Sequence, residues 1–133
     1  GAVTVIDIHG FFGRKSSYWT EATTRTHKIT KPLIWLGTLL ALAGGLNFYS
    51  ALGENNTQLI HGTIFAALIL NGFFLSFKVS PFLLERERNG ASGELLPPSW
   101  QYKITASFIV SFIGWWGSLA LLAYTIAPLL ARQ

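Results

Sequence analysis

The chain has 133 residues, of which 12% are charged and 50% hydrophobic, with a formal net charge of +4 and neither cysteine nor methionine. Soluble domains carry about 25% charged residues, so the shortage of charge points away from a soluble protein, and the absence of cysteine excludes disulfides, thiolate metal sites and cysteine nucleophiles. One domain fits in this length with no room for a soluble catalytic unit, and the basic residues stand beside apolar segments instead of forming a separate patch, which excludes nucleic acid as a partner.

Gly1 to Phe12 mixes Val3, Val5, Ile6, Ile8, Phe11 and Phe12 with Asp7 and His9. It is too short to span a bilayer alone, and reads as an interfacial segment or as the inner end of a truncated upstream helix. Arg14 to Lys31 is polar and basic, with Tyr18 and Trp19 suited to the headgroup region, so 1–31 is expected to be an N-terminal segment and surface connector.

Three charge-free stretches follow: 22 residues between Lys31 and Glu54, 23 between Glu54 and Lys78, and 28 between Lys103 and Arg132. Each is long enough for a membrane-crossing helix, which needs about 20 apolar residues and satisfies its own backbone hydrogen bonds. The first predicted span is 32–52, with Pro32 in its first turn, where the missing N–H has no intrahelical partner. Gly53, Asn55 and Asn56 mark a tight connection to the second, 58–84. Lys78 falls near its end, and Pro81 bends or ends it. A charged loop with the breakers Asn89-Gly90, Ser92-Gly93 and Pro97-Pro98 covers 85–103, the third span covers 104–126, and 127–133 is a tail. The fold class expected is all-α: a single integral membrane domain of three transmembrane helices. The basic N-terminal connector and the 85–103 loop are expected on the cytoplasmic, stromal or matrix side, because the connection near residue 54 carries no lysine or arginine.

Small residues recur along two of the spans. Gly37, Ala41 and Gly45 repeat every four positions in the first, and Ser107, Ser111, Gly114 and Ser118 form a face of the third. Small faces let helices approach closely, either within one chain or against another subunit. Trp115 and Trp116, far from either membrane surface, add to the case for a partner or ligand. His61, near the start of the second span, is the candidate cofactor ligand: a neutral imidazole can hold haem iron or a (bacterio)chlorophyll magnesium, or can hydrogen-bond between helices. Asn47 is expected to approach it, and Asn71 reads as an interhelical hydrogen bond. His9 and His27 are expected at the opposite face from His61, so the three histidines cannot form one metal site. No motif of nucleophilic, metal-dependent or phosphate-binding catalysis is present.

His27, Leu33-Ile34-Trp35-Leu36-Gly37 and Gly45-Leu46-Asn47, with Gly114-Trp115-Trp116-Gly117, resemble copper-resistance-D-like bacterial membrane proteins. The resemblance implies a multi-pass protein associated with copper handling, with Gly1 to Phe12 as the remainder of an earlier helix; it transfers no site residue. Three functions stand as expectations. The first is a non-enzymatic subunit packed against a larger respiratory or photosynthetic membrane complex, docking through the Ser107, Ser111 and Gly114 face. The second is a haem- or chlorophyll-type protein with His61 as axial ligand, and the third is copper handling. Membrane lipids and other membrane-protein subunits are the expected partners.

Overall fold

The computed structural model describes Ile8, Phe12, 16–52 and 56–131, with side chains for all of these except 17–20, 22–30, 51–52 and 129. Among the described residues every regular element is helical: α1 (Ser17–Leu52), α2 (Asn56–Phe74), a π-helical segment (Leu75–Val79), α3 (Ser80–Arg88) and α4 (Pro98–Leu130). Three stretches are long and apolar enough to cross a membrane, Lys31–Ser50, Asn56–Arg88 and Pro98–Pro128. The expectation for Gly1 to Phe12 falls almost wholly outside the described residues.

All three helices run further than the sequence suggests. α1 begins at Ser17, so 17–31 is helix and Pro32 lies in its interior. No glycine or asparagine interrupts 17–31, and its threonines oppose helix only weakly. The second helix continues to Arg88, and α4 starts at Pro98 with proline in its first turn and ends at Leu130. The predicted 85–103 loop thereby shrinks to 89–97. Gly90, at φ +71°, makes the turn out of α3 that a side chain would strain.

Pro81 accounts for the π-helical segment. A proline inside a helix has no N–H to donate and its ring crowds the carbonyl four residues earlier. Here the chain widens by one residue over Leu75–Val79, and the Ser80 N–H reaches back to the Leu75 carbonyl. The Ser76 carbonyl then loses its ordinary donor to Leu75, and the next N–H in line would be that of Pro81. α1 supplies the replacement: Lys31 Nζ donates to Ser76 O (3.4 Å) and Trp35 Nε1 donates to Ser76 Oγ (3.0 Å). Trp35 also packs on Phe73 (5.2 Å between ring centroids) and over Gly72.

The helices run antiparallel in sequence. Trp35 pairs with Ser76 and Tyr49 with His61, while Asn71 pairs with Ser107 and His61 with Ser118. The best-buried apolar cluster lies at one end of the bundle, where Val79, Leu83 and Ile104 are joined by Phe82, Leu96 and Trp100. Phe82 and Trp100 stack at 3.9 Å with ring planes 4° apart. The Arg86 guanidinium sits 5.8 Å over Phe82, donates to the carbonyls of Ala91 (3.1 Å) and Glu94 (3.2 Å), and approaches the Glu94 carboxylate at 3.7 Å. One side chain thus ties the 89–97 connection to α3.

Between the spans the buried residues are mostly small and polar: Thr38, His61, Ser76, Ser107, Ser111 and Ser118, whereas Leu36, Leu40, Leu46, Leu70, Ile113 and Leu119 point outward. At Gly114, a Cβ would lie 2.6 Å from Leu68 Cδ2 and 2.9 Å from its Cγ, so α2 and α4 meet where one glycine accepts one leucine. Gly114→Leu is expected to destabilise the isolated chain by about 1–3 kcal/mol through overpacking, read as a lower thermal midpoint in detergent. Leu68→Ala in the same chain should recover part of the loss; an unchanged midpoint in the single variant would show that the helices do not close here.

Candidate functional site

α1 ends at Leu52 and α2 begins at Asn56, and the two run antiparallel, so that Tyr49 near the end of one meets His61 near the start of the other. The Tyr49 hydroxyl is 2.7 Å from His61 Nδ1, and the rings meet edge to face at 5.4 Å. On the other side His61 Nε2 forms a short hydrogen bond with Ser118 Oγ of α4. All three residues are buried. The imidazole therefore joins α1, α2 and α4 through its two ring nitrogens, and Phe65, 5.7 Å from His61, in turn meets Trp115 at 6.0 Å.

Tyrosine and serine hydroxyls can each donate or accept, and neutral imidazole offers one of each. Either tautomer of His61 therefore completes the chain. In the tautomer protonated at Nε2, Tyr49 donates to Nδ1 and His61 donates to Ser118; the other tautomer reverses both bonds. The network has no unmet partner at His61 in either arrangement.

In that geometry both ring nitrogens of His61 take part in hydrogen bonds between helices, the alternative to a ligand role. A haem iron or pigment magnesium would have to take a nitrogen already hydrogen-bonded to Tyr49 or Ser118, inside a site with both flanks occupied by other helices. Among the described residues no group of three His, Cys, Asp or Glu side chains could hold a metal ion. A serine beside a histidine beside a third hydroxyl also has the order of a nucleophile, a base and its orienting group. However, Ser118 lies inside α4, whose N–H groups are committed to the helix, so no pair of free donors stands ready for an oxyanion. The arrangement is suited to joining helices.

Asn47, expected near His61, is exposed and donates to Ala43 O of its own helix at 2.8 Å. Tyr49 takes the place foreseen for it, because two residues rotate a helical side chain to the far side of α1. Asn71 makes the interhelical bond expected of it: its Nδ2 donates to Ser107 O (3.0 Å), and Ser107 Oγ donates to Asn71 Oδ1 (2.7 Å).

The small-residue faces have different fates. Ser107, Ser111 and Ser118 are buried and Gly114 holds Leu68, so this face packs within the chain, the first of the two alternatives for it. Trp115 turns inward toward Phe65, while Trp116 is half exposed and neighbours Phe112. Gly37 is exposed, whereas Ala41 and Gly45 are half-buried. The divergence is geometric: four residues of helix advance about 400°, so each step of such a row drifts by about 40°. His9 and Asp7, and the side chain of His27, lie outside the described residues.

Tyr49, Trp35 and Ser76 were not singled out by sequence reasoning. Ser76 was signalled by its place five residues before Pro81, whereas nothing in the spacing signalled Tyr49: Asn47 and His61 are the residues that stand equally far from residue 54. Comparison with family models, with curated proteins and with solved structures finds no match for this chain.

Removal of one hydroxyl, in Tyr49→Phe or Ser118→Ala, is expected to cost about 0.6 kcal/mol and at most about 1.7, the range for interhelical hydrogen bonds in membranes. A double-mutant cycle on thermal midpoints should show each pair coupled through His61. His61→Ala should lower stability more than either and leave the visible absorption spectrum of the purified protein unaltered; loss of a Soret or red pigment band in that variant would restore the ligand reading.

Proposed function

We propose that this chain is a non-enzymatic multi-pass membrane subunit that packs against a larger membrane complex, and that α1 supplies the docking face. The supporting observation is the outward strip of α1 formed by Leu33, Gly37, Leu40, Gly44 and Asn47. All five are exposed, and they recur at spacings of three and four, as one side of a helix does. No described atom comes within 4 Å of where a Cβ would stand at Gly37 or Gly44.

In hydrocarbon such a strip has two properties that lipid does not use. Its glycines let another helix approach closely, which drives association by contact area and interhelical hydrogen bonding. Its Asn47 amide keeps further hydrogen-bonding capacity beyond the bond to Ala43, and apolar surroundings make an unused polar group costly. A transmembrane helix with small residues and one polar side chain matches both. The α1 span is also the least enclosed of the three: 11% of it is buried, against 22% for the α4 span.

Two measurements test the reading. The chain should stay with the membrane fraction after an alkaline wash. Gly37→Leu combined with Gly44→Leu should release the co-purifying membrane partner by about tenfold, equivalent to about 1.4 kcal/mol, while the thermal midpoint of the isolated chain holds. Retention of the partner at the original stoichiometry would sink the assignment of α1.

A further inference from the structure

Lys31, Lys78 and Lys103 belong to three different helices, and the pairings between helices place them at one depth. Lys31 donates to Ser76 O, two residues from Lys78. Asn71 pairs with Ser107, so in the antiparallel register Lys103 is level with Leu75. In this register the three residues fall within about one and a half helical turns of each other along the bundle axis, ~8 Å. From this layer each helix continues for about 20 apolar residues toward its other end, the thickness of the hydrocarbon core. The layer therefore coincides with one boundary between acyl chains and headgroups.

Nothing in the described protein neutralises it. Among the described residues no carboxylate lies within ion-pair distance of the three lysines. Glu85 and Glu87 stand on α3 about 10 Å or more further along the axis than Lys78, and Glu94 faces Arg86. Lys78 and Lys103 are exposed. Lys103 is held 5.1 Å above the Trp100 ring, and Lys31 has two N–H donors left after its bond to Ser76. The exposed rings of Phe73 and Phe77, stacked at 5.7 Å, offer an apolar surface on the membrane side of the layer.

We infer that the Lys31, Lys78 and Lys103 layer is a binding surface for anionic phospholipid, with the phosphates against the ammonium groups and the acyl chains along the helices below. The lipid is selected by charge: three cations at headgroup depth favour a phosphate without a neighbouring choline. Each lysine near an anionic surface contributes about fivefold, so loss of all three removes most of the preference. The inference rests on the membrane-spanning architecture and not on the docking role of α1.

The full chain is reconstituted with equal amounts of phosphatidylglycerol and phosphatidylcholine, and the lipid that stays bound through purification is measured by native mass spectrometry. Wild type is expected to retain phosphatidylglycerol in excess, and Lys31→Gln, Lys78→Gln and Lys103→Gln together to reduce that excess at least about fivefold. Replacing the same three by arginine should keep it, as should Arg88→Gln, about 15 Å beyond the layer. Equal retention of both lipids by wild type overturns the inference and needs no variant. An excess that survives in the glutamine variant overturns it as well. Either failure with the chain still in the membrane fraction leaves the proposed function standing.

Discussion

Lipid gives two leucines no reason to prefer each other to an acyl chain, and that constraint orders the whole structure. The hydrophobic effect needs water to be released, so within a bilayer helices associate through close packing and interhelical hydrogen bonds. The chain follows this division along its length. Between the spans the contacts are Tyr49 with His61, His61 with Ser118, Asn71 with Ser107, and Leu68 in the recess of Gly114. At the level of the lysines and beyond it the core turns apolar, with Val79 and Leu83 at 2% and 3% exposure.

The polar contacts are not interchangeable. The upper clamp at His61 joins three helices through one imidazole, whereas the lower one at Ser76 joins two through a carbonyl that Pro81 leaves without a main-chain donor. About 15 residues of α2, roughly 22 Å, separate them. Two fixed points at that distance set both the register and the tilt of α1 against α2. The middle of α1 between them carries Gly37, Leu40 and Gly44 outward with nothing placed on them. A helix held at two points and bare along one side is well suited to accept a further helix without loss of its own fold.

His61 is the one histidine whose side chain is described, and its capacity is used in holding helices together. The serines of α4 that read as a surface for a partner are instead the inner face of the bundle. What the packed interior leaves on the outside is the exposed strip of α1 and the exposed Lys78 and Lys103.

The sequence by itself determined the helical class, the three spans, their antiparallel order and the role of Asn71, because charge-free length and a buried amide in hydrocarbon each have few physical solutions. It also marked the lysines that frame the spans. Helix ends were less legible: Pro32, Pro81 and Pro128 look like boundaries, yet the helix continues past each, since a neighbouring turn or another helix meets the freed carbonyl or the loss of a single bond is tolerated. Which face of each helix turns inward was decided by tertiary structure alone. Gly37 and Gly45 differ by only a slow rotation of the small-residue row, and Asn47 and Tyr49 by two residues. Neither composition nor the count of residues across the connection distinguishes them, since Asn47 and His61 stand equally far from residue 54; the rotation of α1 against α2 places Tyr49 at the imidazole.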